Sequence, residues 1–364
     1  MRTHDFRSDT VTLPTPAMMQ ALNAAPLGDA GRGDDPTVNE LERLACDMTG
    51  KEGALLLPSG TMANLVAVIA HDCRGGEVVV DRGAHIYNAE GGGLSVVAGA
   101  VARPIESRAG ILSPPDVAAV LTGTADLARA QTRLLCLENT HNAAGGTVTP
   151  VETMAALREV ACGAGVPVHL DGARLFNAAA HLDVPLDRLC RQADSVWFAL
   201  CKGLGAPVGA ILAGNEAFMS KARRAAKMLG GTMRQAGLIA APAIVALENA
   251  PYALHRRDHA LARRLACGLA DLDDSLVDLG TVQTNIVNCF VDDALAVVRA
   301  LRQRGILALG KGRKIRFVTH AQVDDESVRA ALGAMAAILH RDRQDRSASR
   351  CSPTRVSTTV ERGT

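Results

Sequence analysis

Three polar stretches of this chain combine residue types and settings suited to chemistry on a carbonyl cofactor. The first centres on Lys202, which follows the apolar run SVWFAL (195–200) and Cys201 and precedes the glycine-rich GLGAPVG (203–209). A lysine drawn partly out of water loses basicity, and its neutral amine attacks carbonyls. Pyridoxal phosphate is the commonest carbonyl partner of such a lysine. The glycines fall as GxGxxxG behind a lysine, which is not the spacing of a dinucleotide loop. The second stretch ends on Asp171, in VPVHLDGA (166–173). Pyridoxal phosphate works as an electron sink only while its pyridine nitrogen is protonated, and a carboxylate partner keeps it so. The third is PSGTMANLVAVIAH (58–71), where Ser59, Gly60 and Thr61 open a helix with apolar Met62, Leu65, Val66 and Ile69. Free backbone N–H groups and small hydroxyls at a helix start suit a phosphate.

These residues need a scaffold that gathers them. EVVVDRG (77–83), RLLCLENT (133–140), VPVHLDGA and SVWFALCK (195–202) are short apolar runs ending in polar residues. Helix-length stretches such as VETMAALREVACGAG (151–165) separate them, with apolar positions recurring at three and four. Buried parallel strands alternating with helices give an open α/β sheet whose ligands sit at the carboxyl ends of the strands. Asp171 and Lys202 are therefore expected in one crevice. From about Leu238 the texture changes to helices such as ALHRRDHALARRLACGLADL (253–272), followed by the strand-like TNIVNCFV (284–291) and KIRFVTH (314–320). The expected organisation is a large domain over 1–245, a small α/β domain over 246–340, and a tail, 341–364, with little to bury and hence disordered.

Composition removes several function classes. The 364 residues carry 39 basic and 38 acidic side chains, a formal charge of +1, so nothing attracts nucleic acid or an anionic membrane in bulk. Nine cysteines, an odd number with no CxxC pair, suggest neither a disulfide framework nor a zinc site. The histidines lack HExxH or a comparable spacing, so no metal is expected. No apolar run approaches the roughly 20 residues of a membrane helix. The polar start, MRTHDFRSDT, lacks the apolar core of a signal peptide. A soluble, cytoplasmic protein acting on small molecules is the expectation.

In chain order, RSDTVT, GDDPTVNELE, SGTMANLVA, AHIYNAEGGG, LENTHN, GGTV, HLDGARLFNA, KGLGAPVG and MLGGTMRQAG span about Asp5 to Val328. Together they resemble the low-specificity L-threonine aldolases, within the fold-type I pyridoxal-phosphate enzymes. The resemblance implies a large cofactor-binding domain with a mostly parallel central sheet and a smaller C-terminal α/β domain. By position, Lys202 matches the Schiff-base lysine, Asp171 the partner of the pyridine nitrogen, and His85 the imidazole that stacks on the ring. Ser59, Gly60 and Thr61 match the phosphate turn, and Arg234 a basic residue near the phosphate. Ser8, Arg174 and Arg316 match the groups that hold the substrate carboxylate, with Arg174 also bordering the cofactor. His141 matches a histidine near the substrate hydroxyl.

The implied reaction is retro-aldol cleavage of L-threonine, L-allo-threonine and related β-hydroxy-α-amino acids to glycine and an aldehyde, and its reverse. His85, His141 or a water is left as the base. The implied assembly is a homodimer or homotetramer with active sites at the subunit interface. The rival readings are another reaction of the same cofactor (β-elimination, racemisation or transamination) and a cofactor-binding protein without turnover. Two positions depart from the family pattern. Cys201 stands where a serine is common, and Arg32 in RGDDPT stands where a tyrosine is common. A permanent cation in place of a phenol is expected to alter the preference for the substrate side chain.

Overall fold

The computed structural model describes residues 2–121, 127–249 and 251–350. Its centre is a seven-stranded sheet: β1 (Gly53–Leu57), β2 (Glu77–Asp81), β3 (Val101–Ile105), β4 (Thr132–Glu138), β5 (Val168–Asp171), β6 (Ser195–Ala199) and β7 (Ala210–Gly214). The order across the sheet is β1-β7-β6-β5-β4-β2-β3. Every neighbouring pair is parallel except those of β7, which runs antiparallel to both β1 and β6. β2, β5, β6 and β7 are buried at every position, which is why they read as unbroken apolar runs rather than alternating ones.

Helices of eight residues or more are α1 (Pro16–Ala24), α2 (Pro36–Thr49), α3 (Gly60–Ala70), α4 (Val151–Gly163), α5 (Leu175–Leu182), α6 (Glu216–Met228), α7 (Gly237–Glu248), α8 (Pro251–Leu272), α9 (Ala294–Arg302) and α10 (Asp325–Arg350). They cover both faces of the sheet. The period of two in a strand divides β7 cleanly: Ala210 and Leu212 pack with α3 and α6, while Ile211 and Ala213 join the core under α2, α4, α5 and α7. The reversal of β7 also accounts for the glycine-rich stretch. Lys202 lies in the connection from β6 back to β7, where Gly205 and Gly209 take φ of +79° and +111°. Side chains rarely adopt either conformation, so glycine is required at both.

A second core lies at the C-terminal end. β8 (Ile286–Phe290), β9 (Leu309–Lys311) and β10 (Lys314–Val318) form an antiparallel sheet in the order β9-β10-β8. α9, α10 and Leu261–Leu269 of α8 pack on it. The N-terminus is sewn into this core. His4 and Asp5 pair in parallel with Ile306 and Leu307, and Phe6 meets Phe317 edge-on with ring centres 5.9 Å apart. The segment 341–364, expected to lack structure, begins inside α10, which carries helix to Arg350; 351–364 lie outside the described residues. No single helix among the described residues is long and apolar enough to cross a membrane.

Candidate active site

The carboxyl ends of β4, β5 and β6 meet the start of α3. Ser59 caps α3, its Oγ accepting from the Met62 N–H at 3.2 Å, so the next backbone N–H groups open outward beside exposed Ser59 and Thr61. At Gly60 the helix presses on Trp197 of β6: a β-carbon there would lie 2.2 Å from the indole ring. The same indole lies 5.5 Å beneath the Lys202 Nζ. Trp197 thus joins the phosphate-type turn to the lysine, a link that no residue pattern announced.

Lys202 is half-buried. Burial and then the Arg174 charge hold its pKa below the ordinary lysine value, against the opposing pull of Asp9 and Asp171. Its carbonyl accepts from Thr12 Oγ1 at 3.1 Å and from the Gly205 N–H at 2.9 Å, which fixes the loop. Asp171, the last residue of β5, is buried. Its Oδ2 accepts from Asn64 Nδ2 at 2.8 Å and its Oδ1 from the Ala173 N–H at 3.1 Å.

The two candidate histidines sit in different circumstances. His85 is half-buried, and its Nδ1 meets Glu90 Oε1 at 2.9 Å. That hydrogen bond raises its pKa, with burial opposing and Asp171 adding to the rise. No hydrogen bond occupies its Nε2 among those described. Its backbone N–H is anchored on Glu138 Oε2 at 2.6 Å. His141, by contrast, is buried with both ring nitrogens engaged: Nε2 on Asp81 Oδ1 at 2.8 Å, and Nδ1 on the Ala144 N–H at 3.3 Å. Burial pulls its pKa down, but Asp81 and Glu138 together raise it above the ordinary value.

The expected carboxylate clamp is only partly open. Arg174 donates from Nε and Nη2 to the two oxygens of Asp9, each at 2.7 Å, in a buried two-pronged ion pair. Its Nη1 reaches Asn142 Oδ1 at 3.3 Å, and Arg316 Nη1 reaches the same oxygen at 2.8 Å. Arg316 Nε is buried with no hydrogen-bond partner among the described residues. Burial and the nearby Arg174 charge push the Arg316 pKa down, the mark of a cation short of an anion. Ser8 adjoins this group, its Oγ 3.4 Å from Asp9 Oδ1.

Arg234 does not join the cluster. It is an exposed side chain paired with Asp29 at 3.1 Å. Arg32 is more exposed still and lies 3.4 Å from the same carboxylate. Arg32 borders a cavity of about 580 Å³ with Arg223, Lys227 and Thr232, and neither Lys202 nor Asp171 lines it.

Sequence reasoning missed Asp9, Asn64, Glu90, Asn142 and Trp197. Only one of the five carried a signal: Asn64 is a polar residue on the inner side of an otherwise apolar helix. Among the described residues, His85, Glu90 and Asp171 form the one cluster tight enough for a metal ion, with ligand atoms within 4.8 Å of one another. Each of those groups already has a hydrogen-bond partner.

The sheet order and this crevice define an α/β enzyme of fold-type I architecture. The chain matches the beta-eliminating lyase family over residues 5–293 and belongs to it. It is 41% identical over 342 residues to low-specificity L-threonine aldolase 1 of Arabidopsis thaliana, covering 91% of this chain and 95% of that protein. It is 39% identical to the low specificity L-threonine aldolase of Escherichia coli K12, covering 93% and 99%. The structure resembles that of a Leishmania major threonine aldolase with a TM-score of 0.79 over 92% of this chain and 99% of that one. At 19% identity, this last likeness speaks for the fold alone.

Proposed function

We propose that the protein binds pyridoxal phosphate and cleaves L-threonine, L-allo-threonine and related β-hydroxy-α-amino acids to glycine and an aldehyde. The observation that carries the reading is that Asp171 lies in one tight cluster with His85 and Glu90, while its charge also acts on Lys202, whose Nζ stands over the Trp197 ring that Gly60 presses on. The cradle suits the group: an amine of lowered basicity, a buried carboxylate at a strand end, and a helix start whose Gly60 leaves no room for a side chain. Ser59, Gly60 and Thr61 would hold its phosphate, Asp171 its ring nitrogen, Lys202 its carbonyl carbon and His85 the ring face. When bound, it supplies a sink for the electron pair released as Cα–Cβ breaks.

The chain's own groups do the rest. Arg316, through its unpartnered Nε, and Arg174, through Nη1, take the substrate carboxylate, with Ser8 beside them. His85 holds its proton at Nδ1 against Glu90, leaving Nε2 to accept the β-hydroxyl proton, directly or through a water. His141, with both nitrogens occupied, supports the Asp81 loop instead. Arg234 reaches a phosphate only if a second subunit brings one to it. We place the active site at the interface of a homodimer or homotetramer on that ground, and on exposed Leu13, Val96 and Met228. Eight described cysteines are free thiols, which favours the cytoplasm. The second core favours a small domain over 246–340.

Incubation with threonine, allo-threonine and phenylserine, with glycine and aldehyde both quantified, tests the reaction. Equal yields of glycine and acetaldehyde from threonine support it, whereas 2-oxobutanoate would make the protein an eliminase. Borohydride reduction should fix the cofactor to a peptide containing Lys202, and attachment elsewhere overturns that assignment.

A further inference from the structure

Beneath the crevice lies a chain of buried and half-buried polar side chains that the proposed chemistry does not use. Asn64 of α3, fully buried, employs its whole hydrogen-bonding capacity. Its Nδ2 donates to Asp171 Oδ2 at 2.8 Å and to Glu90 Oε1 at 2.7 Å. Its Oδ1 faces Trp197 Nε1 at 2.6 Å and His169 Nε2 at 3.1 Å. His169 Nδ1 lies 2.8 Å from Ser195 Oγ, and that hydroxyl lies 2.7 Å from His71 Nε2. His71 borders a cavity of about 290 Å³ together with Asp72, Asp194 and Lys221.

Elementary valence fixes the direction of every bond in this chain. An indole nitrogen only donates, so the amide oxygen of Asn64 must face Trp197 and its amide hydrogens must face the two carboxylates. Flipping the amide would set N–H against N–H and oxygen against carboxylate. His169 then has to carry its proton on Nε2. Burial lowers the His169 pKa to about 3, so the ring is neutral and its Nδ1 accepts from the Ser195 hydroxyl. Ser195, its one hydrogen spent, accepts from His71 Nε2–H; burial likewise lowers the His71 pKa to about 4. Donation therefore runs one way, from His71 through Ser195 and His169 to Asn64, and ends on Asp171 and Glu90.

The geometry points to Asn64 as a positioning residue that clasps Asp171 and Glu90 side by side, aimed by a one-way hydrogen-bond chain through His169, Ser195 and His71. One amide group separates two carboxylates that would otherwise repel, and holds each at a fixed turn. Asp171 is thereby set against the ring nitrogen of the cofactor, and Glu90 against His85. The clasp links the ring's electronics to the orientation of the histidine above it.

The inference rests on the pyridoxal-phosphate reading, and the test separates the two. Parent, Asn64→Asp and Ser195→Ala are compared for pyridoxal-phosphate affinity, for the visible absorbance band of the bound cofactor, and for thermal unfolding without cofactor. Asn64→Asp keeps the shape but replaces two donors with a carboxylate, so the cofactor Kd should rise at least tenfold and the band should shift. Ser195→Ala breaks the chain one step further out and should move the same readouts in the same direction, two- to fivefold in Kd. It carries the test if Asn64→Asp fails to fold. Variants that lose thermal stability yet keep the parent's Kd and band overturn the clasp and leave a merely structural network. A parent that takes up no pyridoxal phosphate at all defeats the cofactor reading instead.

Discussion

Two pairs of arginines in this molecule converge on a shared oxygen-bearing side chain, in opposite surroundings. Arg174 and Arg316 meet at Asn142 Oδ1, and the Arg174 fork is filled by Asp9, with side-chain exposures of 4% and 0%. Arg32 and Arg234 meet at Asp29, with exposures of 78% and 58%. In water, charges at contact attract weakly, and ordering two long side chains cancels much of the gain. Away from water the attraction is strong, but each ion must recover what it lost on desolvation. Asp9 shows that recovery: burial alone would raise its pKa, yet the charge and hydrogen bonds of Arg174 hold it well below the carboxylate range. The buried pair is thus a rigid fixture of the crevice, and the exposed pair a surface feature. Arg316 belongs to neither type, because one of its buried donors has no acceptor among the described residues.

The sharpest way to break the comparison is to remove Asp9. Asp9→Ala leaves Arg174 buried and uncompensated and should cost about 3–5 kcal/mol in denaturant unfolding. A loss below 1 kcal/mol would place this pair with the surface ones. Asp258 offers the reverse case, a buried carboxyl with no guanidinium fork. Its Oδ2 has no hydrogen-bond partner among the described residues, and burial raises its pKa to about 7 despite Arg257. The folded state therefore holds a proton that the unfolded chain, with a pKa of about 3.9, releases. Stability from this group is lost as the pH rises from about 4 to 7. Asp258→Asn should stabilise by up to roughly 4 kcal/mol at pH 8 and by clearly less at pH 5. Equal gains at both pH values would contradict the raised pKa.

If the proposed clamp is right, Arg316→Leu should lower kcat/KM at least tenfold while the melting temperature and bound cofactor hold. Arg174→Leu should lower both activity and stability, because it strips Asp9 as well. If the two variants behave alike, the division between fixture and clamp is wrong. The smallest effect belongs to Arg32→Tyr, which removes one exposed partner of Asp29 and should change stability by less than about 0.5 kcal/mol. If Arg32 reaches a neighbouring subunit's crevice, the ratio of kcat/KM for threonine and phenylserine will shift. An unchanged ratio leaves it a surface residue.

The strand ends and the helix start at Ser59 were legible in the sequence because each is a local matter: an apolar run, a capping hydroxyl, a glycine where the backbone must turn. Lys202 was legible for the same reason. The partners were not. Asp9 reaches Arg174 across 165 positions, and Asn64 reaches Asp171 across 107. Such meetings depend on which strands lie side by side, and nothing in the pattern of SVWFALCKGLGAPVGAILAG says that its second half runs backwards. Arg174 shows the consequence. The resemblance made it part of a carboxylate clamp, but two of its three guanidinium nitrogens are bonded to Asp9, near the N-terminus. The tail from 341 on was read from composition alone, which does not register a helix already under way.

The antiparallel insertion of β7 has a consequence for how the molecule is made. Among the described residues, β1 sits at the edge of the sheet, with β7 as its one neighbour. As the chain leaves the ribosome, Gly53–Leu57 emerges long before Ala210–Gly214 exists. Throughout that interval an apolar strand, GALLL, has no place in the sheet to occupy. The large core therefore closes late in synthesis, when the loop bearing Lys202 turns the chain back and slots β7 into place. A truncated product ending before that turn would keep a sticky edge exposed and invite aggregation. The hairpin that presents the amine is also the clasp that completes the body of the protein.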